Sequence, residues 1–149
     1  MLVDYIVDDK KICTFEIWDD KVPETAKVFR EQLPIRTVLQ HAKLVGDQLF
    51  ATLPFVVPWE NLYLTEEIGR MRRAEKGTIV GTVCFYSPRQ QLVMTYGEDL
   101  AVEPLLNSLI GEVVDGGLEL ALLGERTWRR QGGIVELRLH EESTESAVA

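Results

Sequence analysis

The order of short strand-like and helix-like segments constrains this chain more than any other feature. Residues 12–18 alternate apolar and polar side chains, with Cys13, Phe15 and Ile17 on one face, which is typical of a half-buried β-strand. Residues 134–139 alternate in the same way. Because turn residues separate several short segments of this kind, we expect a mainly β domain.

Further segments have the β-branched, aromatic or alternating composition of strands. The predicted strands cover residues 2–7, 12–18, 36–44, 48–53, 78–86, 91–96 and 134–139. The Asp-Asp-Lys sequence at residues 8–10 favours a hairpin turn between the first two strands. Segment 105–114 fits a helical turn as well as a strand, and the sequence leaves both open.

Two helices are predicted from the residues at their ends. Pro23 suits the first helical position of one helix, and Pro34 ends it. The second helix covers residues 117–130, where Asp115 is a candidate cap and a glycine pair follows the last turn. Residues 65–73 fit either a short helical turn or a loop.

Length and charge limit the classes of function. The 149 residues suit one domain, and we expect a folded unit over residues 1–140 with a flexible acidic tail at 141–149. The net charge of −8 disfavours nucleic acid and anionic membranes as partners. The chain has no apolar run long enough to span a membrane and no basic leader segment, so we expect a cytoplasmic protein.

Three short motifs accompany this order of elements. They are Val-Pro-Glu-Thr-Ala-Lys-Val-Phe at residues 22–29, Gly-Asp-Gln-Leu-Phe at 46–50, and Gly-Thr-Ile-Val-Gly at 77–81, which begins a hairpin ending at Tyr96. Over residues 2–140 the chain resembles the cyclophilin fold, and more closely the small bacterial cyclophilin-like proteins of uncharacterised function. The resemblance implies a closed antiparallel eight-stranded barrel with two helices, one capping each end.

The chain departs from catalytic cyclophilins where their catalytic arginine would stand. In those enzymes a phenylalanine is followed by histidine and arginine, whereas Phe50 is followed here by Ala51 and Thr52. Rotation about a prolyl amide has a barrier of about 20 kcal/mol, and a positioned cation helps to lower it. We therefore expect little or no prolyl isomerase activity.

The loop at residues 58–63 is the leading candidate for a binding site. Trp59, Glu60, Asn61 and Tyr63 place two aromatic rings, a carboxylate and an amide together, and with Phe50 they could bind a small molecule or a peptide. The alternative is structural. The rings would then plug the barrel mouth while Glu60 and Asn61 fix the loop by hydrogen bonds.

Two other functions stay open at this point. An enzyme of unknown reaction would use a pocket around His41, Glu60 and Arg89 as acid–base or anion-holding groups, and no catalytic residue can be assigned more closely. An interaction module would form a homo-oligomer through exposed apolar residues of segment 53–57. No cofactor or metal is predicted, because the two histidines lack ligand spacing, and Cys13 and Cys84 suit buried thiols.

Overall fold

A computed structural model describes residues 1–141 of the chain. The strands are β1 Leu2–Val7, β2 Lys10–Ile17, β3 Ile35–His41, β4 Gly46–Thr52, β5 Leu62–Leu64, β6 Thr82–Tyr86, β7 Gln91–Leu100, β8 Leu106–Asp115 and β9 Ile134–Leu139. The helices are α1 Pro23–Gln32, α2 Thr65–Lys76 and α3 Gly117–Arg129. Apart from Glu141, the predicted tail lies outside the described residues.

The β1–β2 hairpin turns where the sequence predicts it. Asp8 and Asp9 both have positive φ, 49° and 68°, which is the backbone of the two-residue turn that suits the right-handed twist of paired strands. Asp8 also ties the turn to the last strand, since its carboxylate accepts the Ile134 N–H at 2.9 Å.

Eight antiparallel strands close into a barrel. They follow the order β2-β1-β9-β3-β4-β7-β6-β8, and β8 pairs back with β2 through partners such as Phe15↔Val113 and Ile17↔Gly111. The short β5 pairs with β8 beyond the end of β2. The predicted closed eight-stranded barrel is therefore confirmed, and closure leaves none of the eight strands with a free edge along its paired length.

The barrel interior is an apolar core with an aromatic centre. Phe29 of α1 packs edge-on against Phe55 and Phe85, with ring centroids 5.1 and 6.2 Å away. Leu120 and Leu123 of α3 are buried in the same core. Because α1 follows the end of β2 and α3 follows the end of the antiparallel β8, the two helices stand at opposite ends of the barrel. That they cap its ends remains a prediction.

The third helix, α2, is a correction to the prediction of two. It packs on the outer face of the barrel, where Ile68 meets Cys84, Val93 and Leu109. Its buried face also contains Arg72, which is 2% exposed and ion-paired to Glu112 at 2.6 Å. A buried arginine breaks the apolar stripe that indicates a helix, so residues 65–73 fitted a loop equally well.

Several strand bounds also differ from the prediction. Segment 105–114, for which the sequence allows a helical turn or a strand, forms β8. The strand predicted from residue 78 begins only at Thr82, because the preceding residues turn and the Thr82 N–H donates to the Ile79 carbonyl at 3.2 Å. The strand predicted over 36–44 ends at His41, where a 3-10 turn over Lys43–Val45 follows.

Segment 53–57 does not form the exposed apolar surface that was expected for self-association. Leu53, Phe55 and Val57 are buried, and Val56 between them is 64% exposed. The loop alternates like a strand and directs every second residue into the core. None of the three helices within residues 1–141 has the length and apolar character of a membrane-crossing segment.

Candidate functional site

Glu60 is a structural group that caps a helix. Its Oε1 accepts hydrogen bonds from the Thr25 N–H and the Thr25 hydroxyl, both at 2.7 Å, and its Oε2 accepts the Glu24 N–H at 3.2 Å. These amides belong to the first turn of α1, where a carboxylate satisfies orphan donors and favours the positive end of the helix dipole. A distant loop therefore supplies the cap that Val22 cannot provide.

The other residues of the predicted binding loop do not form one site, because some pack against the barrel and Trp59 faces solvent. The Asn61 amide donates to the Leu109 carbonyl at 2.8 Å, so it anchors the loop to β8. Tyr63 and Phe50 pack together with the outer cluster under α2. Trp59 is 61% exposed. These contacts match the structural alternative for Glu60 and Asn61.

His41, Glu60 and Arg89 do not form one pocket, which corrects the expectation of an enzyme site built from them. His41 ends β3, at the barrel end where β9 begins. Arg89 is exposed in the turn between β6 and β7, at the opposite end, and Glu60 lies with α1 at that same end. The barrel itself separates the histidine from the other two.

The buried His41 instead pairs with the partly buried Tyr96 of β7. The His41 Nδ1 accepts the Lys43 N–H at 2.7 Å, so the neutral ring carries its proton on Nε2. That Nε2–H donates to the Tyr96 hydroxyl oxygen at 2.5 Å. Trp128 of α3 meets the His41 ring edge-on, with centroids 5.0 Å apart. The phenol is thereby held at a fixed place, and its own hydroxyl proton is directed to the Asp47 carboxylate.

Burial and charge set the protonation of this pair. Burial lowers the pKa of His41 and Lys43 lowers it further, although Asp47 acts in the opposite sense. Burial raises the pKa of Tyr96 to about 12, and the carboxylate of Asp47 adds to the rise. Both rings are therefore neutral at pH 7, with the phenol a hydrogen-bond donor.

Tyr96 lines a cavity of about 440 Å³, which we call the Tyr96 cavity. Its aromatic walls are Tyr96 and Trp128, and its charged groups are Lys43, Asp47, Asp99 and Glu125. Three carboxylates and one ammonium leave a net charge of −2. The volume lies within the range of small-molecule pockets, and aromatic walls with few polar groups are usual in them.

Two glycines allow this cavity to form. Gly124 of α3 lies against the Tyr96 ring, and a Cβ at that position would overlap the ring atoms. Gly97 lies against Asp47 in the same way, so the carboxylate can approach the β7 backbone, where it accepts the Asp99 N–H at 3.1 Å. Larger residues at these two positions would push the phenol and the carboxylate out of the site.

Gln131 fixes the backbone of His41. The His41 N–H donates to Gln131 Oε1 at 2.7 Å, and Gln131 Nε2 donates to the His41 carbonyl at 3.2 Å. The side-chain amide thus makes the two hydrogen bonds that a neighbouring strand would make. It ties the segment after α3 to the end of β3.

Sequence reasoning identified His41 and missed the residues around it. Tyr96 was noted as the end of a hairpin strand, and Trp128 as part of a helix. Their partners are remote in the chain, and the His41–Tyr96 separation of 55 residues has no local motif. A usable signal was the glycine at 124, which interrupts an otherwise strong helix and indicates a close contact there.

Other chemistry is limited in the part of the chain that the structure describes. No group of three or more His, Cys, Asp or Glu side chains within residues 1–141 is placed to hold a metal ion. Cys13 and Cys84 are both buried, and burial raises the pKa of each thiol to about 12. Neither thiol is therefore poised as a nucleophile.

Comparison with known proteins identifies the fold alone. No family model and no curated protein matches the chain. Its structure is similar to that of McbB in complex with tryptophan, with a TM-score of 0.73 and 20% identity over 95% of this chain and 45% of McbB. It is also similar to the solution structure of the hypothetical protein AF2241 from Archaeoglobus fulgidus, with a TM-score of 0.63 and 17% identity over 94% and 95% of the two chains.

Proposed function

We propose that this protein is a cyclophilin-like barrel that binds a small molecule in the Tyr96 cavity and does not catalyse prolyl isomerisation. The observation that carries the binding proposal is Tyr96, whose hydroxyl lies 2.5 Å from the Nε2 of buried His41 and whose side chain lines a cavity of ligand size. A phenol fixed in this way offers a ligand a pre-oriented polar group, which it shares with the Asp47 carboxylate.

The fold comparison adds modest support for a small ligand. McbB was solved with tryptophan bound, so a chain that contains this fold is compatible with an aromatic ligand of that size. The chain spans 45% of McbB and is 20% identical to it in sequence, so neither the location of the tryptophan nor the activity of McbB transfers to this chain. Tryptophan is nevertheless a reasonable first probe.

The proposal against isomerase activity rests on the side chains of β4. The strand alternates, with Leu49 and Ala51 in the core while Phe50 joins the outer cluster. Ala51 and Thr52 follow Phe50 where catalytic cyclophilins have histidine and arginine, and neither supplies a cation. A prolyl amide on this face would meet an apolar surface without the charge that lowers the rotation barrier.

A fragment screen tests the binding proposal. We expect amide and indole signals of Lys43, Tyr96 and Trp128 to shift in ¹H–¹⁵N spectra when a small-molecule library that includes tryptophan is added. Tyr96→Phe should weaken the hits, because it removes the oriented hydroxyl, whereas Tyr63→Phe is the control in the outer cluster. Hits confined to the Phe50–Tyr63 face would overturn the choice of cavity.

A proline-peptide assay tests the second half of the proposal. In the presence of the protein, cis–trans relaxation of the peptide should keep its uncatalysed time, which is tens to hundreds of seconds at 25 °C. An ordinary cyclophilin at the same concentration is the positive control. Turnover approaching that of the control would refute the proposal, whatever the result of the fragment screen.

A further inference from the structure

The Trp128 ring already interacts with a cation in the free protein. The Lys43 ammonium lies 4.9 Å from the centre of the Trp128 ring, within the range of a cation–π contact. Trp128 is 47% exposed, so a ligand can reach the ring from solvent. Lys43 is an exposed, flexible side chain that can move aside.

The other charged groups of the cavity are carboxylates, and two of the three have no ion-pair partner among the described residues. Neither Asp47 nor Asp99 has an ion-pair partner among the residues that the structure describes, while Glu125 also binds Arg129 at 3.1 Å. All three carboxylates act on the Tyr96 hydroxyl and oppose its ionisation, so the potential at the cavity is negative. A cation is the complementary charge.

We propose that the Tyr96 cavity takes an aromatic amine, whose ammonium replaces that of Lys43 on the face of Trp128 with Asp47 and Asp99 as counter-charges. This inference rests on the proposed small-molecule function and names its ligand class. The aromatic part of the ligand lies along the Tyr96 and Trp128 walls.

The Lys43 ammonium then competes with the ammonium of the ligand for the face of Trp128. Removing a lysine from an acidic site should raise the affinity for a cation, both because the Trp128 face is uncovered and because the local charge becomes more negative. The change leaves the backbone N–H of Lys43, which binds His41, in place.

The experiment measures the binding of three indole probes of similar size and different charge by calorimetry at pH 7. Tryptamine is the cation, tryptophol is neutral and indole-3-propionate is the anion. We expect tryptamine to bind about tenfold more tightly than either analogue, as a partly exposed cation–π contact allows. Trp128→Leu and Asp47→Asn should each remove most of that preference.

The chain offers a matched control for the lysine. Lys21 lies 4.8 Å from the centre of the Trp18 ring, in the same kind of contact outside the Tyr96 cavity. Lys43→Met should tighten tryptamine binding severalfold, and Lys21→Met should leave it unchanged. Equal effects of the two substitutions would show a general charge effect and overturn the proposed place of the ammonium.

The outcomes separate this inference from the proposed function. If tryptophol or indole-3-propionate binds as tightly as tryptamine, the cavity still binds small molecules and the cationic class is wrong. The cationic class is also wrong if none of the three probes binds while the fragment library gives hits at Tyr96. If neither the probes nor the library perturbs Tyr96 or Trp128 at millimolar concentration, both proposals fail.

Discussion

His41 is held neutral by the direction of its hydrogen bonds as well as by burial. The Lys43 N–H points at Nδ1, so a second proton on the ring would meet a donor rather than an acceptor. The ring therefore serves as a fixed donor to Tyr96, and its protonation would cost the folded state one hydrogen bond. This arrangement makes the stability of the barrel depend on pH.

The sign of that dependence follows from the lowered pKa of His41. Between about pH 6.5, the usual value for histidine, and the lower folded value, the unfolded chain binds a proton that the folded chain does not. Unfolding is thus favoured as the pH falls through this window. Urea titrations at pH 7.0 and 5.5 measure the effect. Between these two pH values we expect the free energy of unfolding of the wild type to fall by up to about 1 kcal/mol, and that of His41→Asn to show no such fall. Parallel losses in the two proteins would contradict this account.

Glu60 supplies a second test at the scale of one residue. Glu60→Ala leaves the Glu24 and Thr25 amides of α1 without their acceptor, and we expect the free energy of unfolding to fall by about 1–2 kcal/mol. Glu24→Ala, in the same turn, is the control, because only its dipole interaction is lost. Thermal unfolding followed by circular dichroism measures both. If Glu24→Ala is the more damaging change, the capping role is wrong.

The helices α2 and α3 differ in how closely a glycine in each approaches its neighbours. A Cβ at Gly69 would have Arg73 Nη1 at 3.3 Å and Ile79 Cγ2 at 4.0 Å, and the flexible arginine can give way. A Cβ at Gly124 would instead overlap the Tyr96 ring. One glycine is therefore dispensable to packing, and the other shapes the candidate site.

Alanine at these two glycines should have opposite effects on stability. Gly69→Ala should stabilise the protein by about 0.5–1 kcal/mol, because glycine is costly inside a helix. Gly124→Ala should destabilise it by about 1–3 kcal/mol, since the ring or the helix must shift. Denaturant titration measures both. A stabilising Gly124→Ala would mean that Tyr96 has room to move and that the His41 contact is loose.

The elements that could be predicted from sequence are those whose signals are local. The Asp8–Asp9 turn and α1, with Pro23 at its start, depend on a few adjacent residues. α2 could not be resolved, because its buried face relies on Arg72, whose burial is tolerated through an ion pair with Glu112, 40 residues away. The candidate site was missed for the same reason, since Tyr96 gains its role from His41 and Gly124, which are distant in the chain.

At the scale of the whole molecule, the β2–β8 pairing closes the barrel. Gly111 of β8 lies directly against the Glu16 carbonyl, where a side chain would overlap the backbone of β2. The closure predicted from the resemblance is confirmed, although no local pattern indicates that β2 and β8 are the strands that close it. Register between strands about 100 residues apart depends on such close backbone contacts, which composition does not reveal.

Gly111→Ala tests the importance of this closing pair. Because rigid backbone would have to separate, we expect a loss of about 3 kcal/mol or a failure to fold at 37 °C. Gly117→Ala is the matched control in the next element, as a Cβ there meets nothing within 4 Å. Urea unfolding of the two variants gives the comparison. Equal stabilities of the two variants would show that the backbones of β2 and β8 can move apart at little cost in free energy.

The two hydrogen bonds between the Gln131 side chain and the His41 backbone have a consequence for hydrogen exchange. The His41 amide is protected by a side chain of the segment after α3, so it exchanges with solvent when that segment detaches, even while the strands stay paired. Its exchange rate therefore reports the docking of the α3 end of the molecule separately from global unfolding. A ligand that bridges Tyr96 and Trp128 would slow hydrogen exchange at the His41 amide. The exchange rate of this amide therefore reports whether the cavity is occupied.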